Sequence, residues 1–458
     1  MTPARQSSDR LVVVVAGAFF LYVAWIRTDG ITTTFQCLAD QVRDWRLTLG
    51  GWGVMPLAGP PSVAGGRSIG PIYYWFLWLT NQVIGPFTSH LPHAGGLGTA
   101  LFQAVADSWL FVALSKRLPW GLALATALFI ATAPFDVALS ASIWNPPVST
   151  AFVKITMALV LMGTATPSFS RAAVIAVVSW FAVQAHSTAI FVTGPLLAAL
   201  VLQEFLARRF RRGLAICSIV VGVIGVLQVP FLIYHLQHPA EVLTPGKAVS
   251  ALSAVSGDLI RGSLFSTIGR IAGAVQIVAF RPPAHAAFTI AVLAAIAIVM
   301  ARYRRELPLV AITAVPFLCA VGLFLAWRAR GLDDYLFETL TPAVLVCMAF
   351  AIAALPSRRL ITVTGIALLG LLIVLQPLRY RQSKVSSRSP WYGPLIAGVR
   401  DVARTTTAIR DIKTRLPVDL STDIWFLYQI LGGHDDRQSD LIAIIGTAGT
   451  VEYQRVAK

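Results

Sequence analysis

Residues able to do chemistry concentrate in one stretch, Ile31 to Trp75, which reads ITTTFQCLADQVRDWRLTLGGWGVMPLAGPPSVAGGRSIGPIYYW. Asp40 and Asp44 stand four residues apart, with Arg43 between them. In a helix, positions three and four apart share a face, so Asp40 would lie beside both Arg43 and Asp44. A carboxylate next to a guanidinium stays ionised and can accept a proton from an attacking hydroxyl. The same spacing also suits a helix cap or a solvated salt bridge. Arg67 and the aromatic run Tyr73, Tyr74, Trp75 close the stretch, which also holds seven glycines. Loops without secondary structure of their own rarely exceed about 12–15 residues unless they do something. The stretch reads as the active-site loop of a membrane enzyme.

The elements that must position it are apolar. Of 458 residues 56% are hydrophobic and only 13% are charged, the balance of a polytopic membrane protein rather than a soluble globule. A span needs roughly 20 apolar residues. The apolar runs predict eleven, over 11–27, 95–115, 119–136, 148–165, 172–186, 188–206, 213–235, 284–301, 307–327, 337–356 and 360–377. Segments 172–186 and 188–206 meet near Gln184–Thr188, with His186 at the break. The net charge of +16 would suggest nucleic acid on a soluble protein. Here Lys116–Arg117, Arg171, ARRFRR (207–212), RYRRE (302–306) and SRR (357–359) all fall on one side if eleven spans alternate. That pattern reports topology and makes their side, with the N-terminus, cytoplasmic; nucleic-acid binding is not expected.

The long loop 28–94, a second loop 236–283 and the tail then face outward from a plasma (inner) membrane. Outer arginines such as Arg67, Arg328 and Arg330 are what an anionic substrate would require. Segment 71–87, dense in Tyr and Trp, suits an interfacial helix better than a span. The expected fold is an all-α polytopic membrane domain over 1–377, with interfacial helices on its outer face. A small mixed α/β outer domain follows over 378–458.

Away from the ends of the predicted spans stand the charges Asp107 and Lys154. Such residues default to a functional hypothesis with a partner. Lys154 either reaches outward to a phosphate or pairs with Asp107 as a structural bridge. The pairing is preferred, since a mid-span aspartate needs a partner. Asp333-Asp334 reads first as a helix cap. The four cysteines form no CxxC pair, and no His/Cys/Asp cluster has metal-ligand spacing, so no metal is indicated. A nucleotide-binding glycine loop is also absent.

Several segments together resemble a family. Asp40-Gln41-Val42-Arg43 after the first span is similar to the Asp-Glu-type motif of the GT-C membrane glycosyltransferases. The resemblance is to the branch with protein O-mannosyltransferases, aminoarabinose transferases and related bacterial enzymes. GPP-x-x-x-GG-x-x-x-GP-x-YYW (59–75) resembles the glycine- and aromatic-rich segment that follows that motif. Ser142-Ile143-Trp144-Asn145-Pro146 and Gln184-Ala185-His186 resemble two further recurring elements. The likeness covers roughly residues 10–210; beyond that only the span layout matches. Gln41, Asn145 and Ile69 stand where relatives often carry Glu, a second acidic residue and Lys, with Asp136 and Arg67 the nearest substitutes. Asn145 can hydrogen-bond but cannot act as a base at neutral pH.

The resemblance implies transfer of a sugar from a polyprenyl-phosphate donor to an outer-face glycan, lipid or protein, usually with inversion. It makes Asp40 the general base. Arg67, Arg328 and Arg330 become candidates to stabilise the leaving phosphate, and Arg43, Asp44, Tyr73, Tyr74, Asn145 and His186 candidate substrate contacts. No cofactor is implied beyond the lipid-linked donor. The alternatives are a transporter or flippase of lipid-linked sugars, which would need an ion relay within the spans, and a non-catalytic relative that binds polyprenyl phosphate.

Overall fold

The structure is a computed structural model. It describes residues 3–36, 39–61, 67–163, 167–239, 264–280, 286–327, 337–385, 389–405, 409–416, 421–433 and 439–455. Arg328, Arg330 and Asp333-Asp334 lie outside the described residues.

The chain opens with α1 (Pro3–Thr28), followed by the short α2 (Ile31–Thr34) and by α3 (Ala39–Thr48), which carries Asp40. Then come α4 (Ile72–Ile84), α5 (His93–Ser115), α6 (Trp120–Ala131), α7 (Pro134–Ser140), α8 (Asn145–Leu161) and α9 (Phe169–Ala185). The bundle continues through α10 (Ile190–Leu206), α11 (Phe210–Gln237), α12 (Leu264–Phe280), α13 (Ala286–Arg302), α14 (Leu307–Thr313) and α15 (Val315–Trp327). It closes with α16 (Thr341–Ala353) and α17 (Arg358–Val385). Each of the eleven predicted apolar segments carries helix within its described residues. Among the described residues five helical segments are long and apolar enough to cross a membrane alone, and α6 with α7, bent by 55° at Thr132–Ala133, makes a sixth. The protein is an integral membrane protein of polytopic type.

The burial pattern carries the same message. On α1, Phe19, Val23 and Ile26 are buried while Leu11, Val13, Val14, Leu21 and Trp25 are exposed. On α11 and α17, Val221, Val226, Leu232, Ile366, Ile373 and Val374 are exposed. Helices apolar on all faces belong in a large core or a bilayer. These outward rows would be an aggregation liability in water and face lipid instead.

The basic connections gather at one end of the bundle. Arg117 pairs with Glu306. Arg212 donates to the Pro167 carbonyl at 2.5 Å, and the buried Glu204 faces Arg212 Nε at 3.3 Å. A small open pocket at this end is lined by Arg117, Gly163 and Glu306 among others.

Two features depart from the sequence reading. Within 236–283, read as a loop, Leu264–Phe280 is helical and packs on α7, α13, α15 and α16. Its Ile271, Ala272, Val275 and Ala279 are buried, and Arg270 sits on the exposed side. The last long helix also runs past residue 377. Arg379 donates to the carbonyls of Ala279 and Phe129 at 3.1 and 2.9 Å, and Lys384 lies 3.3 Å from Asp29 Oδ2. These contacts bind the end of α17 to the bundle.

Beyond it lies a small mixed unit: α18 (Tyr392–Arg404), β1 (Asp411–Thr414), α19 (Ser421–Ile430), β2 (Leu441–Ile445) and β3 (Val451–Arg455). Strand β1 pairs parallel with β2 and β2 antiparallel with β3, in the order β1-β2-β3. A parallel pair needs a crossover, and α19 supplies it. Ala443 and Ile445 are buried against α18, where Gly398 admits the Ile445 side chain, and Ile412 is buried in the same apolar cluster.

Candidate functional site

Helix α3 is fixed on three sides. Trp45 is fully buried and donates from Nε1 to the His90 carbonyl at 2.7 Å. The Asn81 amide donates to the Thr48 carbonyl at 3.0 Å. Val42 and Trp45 share one apolar cluster with Tyr73, Tyr74 and Leu77 of α4 and with Tyr392, Val399, Phe426 and Tyr428 of the terminal unit. The Arg46 guanidinium lies 4.7 Å from the centre of the Phe426 ring. The Tyr392 hydroxyl is 3.0 Å from His93 Nδ1. The terminal unit is therefore docked directly on the helix that carries Asp40.

On that helix the predicted i, i+3 pair of Asp40 and Arg43 is in contact, and Arg43 also bonds its neighbour Asp44. Arg43 Nη1 donates to Asp40 Oδ1 at 2.8 Å, and Arg43 Nε donates to Asp44 Oδ1 at 2.9 Å. Tyr74 donates its hydroxyl to the same Asp44 oxygen at 3.0 Å. Burial raises the Asp44 carboxyl above the ordinary carboxylate value, and Arg43 and Tyr74 partly offset it. Burial and the Asp44 charge both raise the Tyr73 and Tyr74 phenols, so both are neutral donors at physiological pH.

Arg67 is brought in by antiparallel pairing of 59–61 with 67–68. Gly59 N–H donates to the Ser68 carbonyl at 3.0 Å, and Ser68 N–H to the Pro60 carbonyl at 2.9 Å. A Cβ on Gly59 would stand 2.7 Å from Ser68 Cβ, so glycine is required there. The Arg67 guanidinium lies 5.4 Å from the centre of the Tyr234 ring on α11, and its charge reaches Tyr74. Gly70 leans on Gln184, whose amide donates to the Leu227 carbonyl at 2.7 Å.

Gln184 leads into the break after α9. There His186 Nδ1 is 2.7 Å from Thr188 Oγ1, which is 3.2 Å from Thr339 Oγ1. Asn145, at the start of α8, donates to the Ala185 carbonyl at 3.0 Å. Asp40, Arg43, Asp44, Tyr73 and Tyr74 thus form one group, with Arg67 beside it. Asn145 and His186 form a second, and Gly70 against Gln184 joins the two.

A larger polar cluster lies inside the bundle. The sequence showed only the Asp107–Lys154 part of it. Lys154 Nζ is 2.8 Å from Asp107 Oδ1 and 3.1 Å from Asp136 Oδ2, and it donates to Gln103 Oε1 at 2.7 Å. Arg27 Nη2 donates to Asp107 Oδ2 and Asp136 Oδ2 at 2.8 and 2.7 Å, and Nη1 donates to Ser140 at 2.7 Å. Glu338, in the turn before α16, adjoins Asp136. Lys154 is wholly buried, so its stem does not carry the ammonium outward. Glu338 inside an otherwise apolar span was the available sequence signal. Among the described residues no three His, Cys, Asp or Glu side chains gather to hold a metal ion.

No family model matches this chain, and no curated protein matches it in sequence. Solved structures do match in fold. ArnT from Cupriavidus metallidurans in the apo state superimposes with a TM-score of 0.55 at 14% identity, over 94% of this chain and 85% of that one. The same protein bound to undecaprenyl phosphate gives 0.56 at 14% identity, over 91% and 84%. The Archaeoglobus fulgidus oligosaccharyltransferase in complex with Zn and sulfate gives 0.52 at 13% identity, over 91% of this chain and 62% of that longer one. Over nearly its whole length, this chain has the fold of the GT-C membrane glycosyltransferases.

Proposed function

We propose that this protein is a membrane glycosyltransferase that takes a sugar from a polyprenyl-phosphate carrier and passes it to an outer-face acceptor with inversion. The carrying observation is the division of labour on α3. The Asp44 side chain is only 5% exposed and is held by Arg43 and Tyr74, whereas the Asp40 side chain is 78% exposed and, among the described residues, bonds the guanidinium that Asp44 anchors. A carboxylate so placed is oriented yet open to a substrate. In the proposed step the acceptor hydroxyl oxygen attacks the anomeric carbon while its proton passes to Asp40. The bond from that carbon to the phosphate oxygen breaks, and polyprenyl phosphate leaves with the electron pair. Arg67 and Arg43 are the described cations suited to the developing phosphate charge. Tyr73, Tyr74, Asn145 and His186 would line the substrate, and Arg328 and Arg330 remain candidates for the phosphate.

The fold shared with the undecaprenyl-phosphate complex of ArnT supports a lipid-linked donor. The basic end of the bundle is assigned to the cytoplasm of the plasma (inner) membrane, and α3 with the terminal unit to the outer face. Membrane lipids surround the bundle, and the acceptor class is a cell-envelope glycan, lipid or protein. No step is assigned to a metal.

One observation favours a second reading. The buried cluster of Arg27, Asp107, Asp136, Lys154 and Glu338 is the kind of intramembrane charge group a transporter of lipid-linked sugars uses. Both readings meet in one experiment on protein in lipid nanodiscs and liposomes, with labelled polyprenyl-phosphate sugars and an envelope extract as acceptor. Transfer by the wild type that collapses in Asp40→Asn, with donor binding retained, supports the enzyme. Equal transfer by both removes Asp40 from the mechanism. Movement of labelled lipid between leaflets without transfer favours the transporter.

A further inference from the structure

Among the described residues, the five ionisable side chains of this buried cluster do not balance if all are charged. Arg27 and Lys154 bring two positive charges, and Asp107, Asp136 and Glu338 bring three carboxyls, all of them buried. Two cations cancel two carboxylates, and Glu338 is the surplus. The geometry says which atoms lack a partner. Both cations reach Asp136 through one oxygen, Oδ2. Among the described residues, Asp136 Oδ1 is buried with no hydrogen-bond donor, and so are both oxygens of Glu338. The acidic neighbour of Glu338 is Asp136 itself.

If both were ionised, bare carboxylate oxygens would face one another away from water, beside cations already matched. An uncompensated buried charge is among the costliest arrangements a protein can hold. One proton on Glu338 removes both faults. A protonated carboxyl is a donor, and a carboxylate oxygen is its strongest neutralising acceptor. We propose that Glu338 is a carboxylic acid whose hydroxyl donates to Asp136 Oδ1, and that this buried proton positions the turn before α16. The cluster then carries no net charge, and the orphaned Asp136 oxygen gains its donor. A metal ion in place of the proton would need further ligands, and the described residues offer no such group.

The next residue shows what the turn is for. Thr339 Oγ1 lies 3.2 Å from Thr188 Oγ1, which holds His186 Nδ1 at 2.7 Å. Residues 338 and 339 thus join the buried cluster to the His186 wall. Glu338 is a positioning residue, acting through Thr339 and Thr188.

The test is infrared spectroscopy at neutral pH on the full chain in nanodiscs, with 13C placed in the glutamate side-chain carboxyls. The chain has five glutamates, of which Glu241 lies outside the described residues. Glu306 and Glu452 pair with Arg117 and Arg415, and Glu204 faces Arg209 and Arg212. The wild type should show a protonated-carboxyl C=O band that moves with the label, and Glu338→Gln should lack it. Glu338→Gln keeps a donor for Asp136 and should retain the wild-type Tm, whereas Glu338→Ala should melt lower. Absence of a label-sensitive band in the wild type overturns the proposal whether or not the variants fold. A band that persists in Glu338→Gln overturns it as well. The measurement needs no transfer activity, so its failure is distinct from failure of the glycosyltransferase reading.

Discussion

Asp40 and Asp44 share one guanidinium and have opposite surroundings: Arg43 bonds both, but Asp44 lies beneath it against Tyr74 while Asp40 points into the open. Substitution should separate the two roles. Asp40→Asn should leave Tm unchanged and lower transfer by about 10²–10⁴-fold, the usual worth of a general base. Asp44→Ala strands the Tyr74 hydroxyl and should cost about 1–3 kcal/mol of stability. Thermal melts and transfer assays on the two variants check this, and an Asp40→Asn chain that melts early would make Asp40 structural.

Asp44 also predicts a pH dependence. Burial raises its carboxyl above the ordinary value of 3.8, so the folded chain binds this proton more readily than the unfolded chain does. Ionised Asp44 therefore costs stability at neutral pH, and that cost is relieved as pH falls from the raised value toward 3.8. Asp44→Asn has no such proton to bind. Melting curves across this window should show the wild type gaining on Asp44→Asn as pH falls. The opposite slope would mean that the Arg43 pair outweighs burial.

Why some of this is legible in the sequence, and some not, follows from range. Spans declare themselves within some 20 residues through continuous apolarity, and the Asp40–Arg43–Asp44 relationship is a helical spacing read over five residues. Leu264–Phe280 escapes because Arg270 interrupts its apolar run, and only packing decides that Arg270 takes the exposed side. The Arg27 network escapes for a stronger reason. Its partners come from α1, α5, α7 and α8, and nothing local to Arg27 distinguishes it from the other outer arginines. The docking of Tyr392 on His93, 299 residues apart, is likewise invisible to any local pattern.

That docking makes the terminal unit part of the site's support. Phe426 is buried in the apolar cluster shared with α3 and lies under Arg46. Phe426→Ala should cost about 3–5 kcal/mol locally and lower transfer through loss of the α3 position. Protease protection of the 28–94 segment, compared between wild type and variant, reads the effect. Unchanged protection with normal transfer would leave the terminal unit without a positioning role.

Gly70 offers a test of the joint between the two halves of the site. A Cβ there would stand 2.2 Å from Gln184 Cδ, and that side chain is already committed to Leu227 and Gln228. Gly70→Ala should push the Arg67 segment away from α9 at a cost of about 1–3 kcal/mol, as overpacking does. Transfer should fall while the bundle remains folded. The double variant Gly70→Ala with Gln184→Ala removes the collision and should recover part of the loss. No recovery would place the defect in the Arg67 segment itself rather than at its contact with α9.

The buried ion cluster should respond to the balance of charge more than to the number of bonds removed. Lys154→Met leaves Asp107 and Asp136 with Arg27 alone and should cost about 3–5 kcal/mol, the usual result of breaking a buried pair from one side. Adding Asp107→Asn removes the excess charge although it deletes a further ionic contact. The double variant should therefore be more stable than Lys154→Met alone. Additive losses would mean that the contacts, and not the charge, hold these helices together.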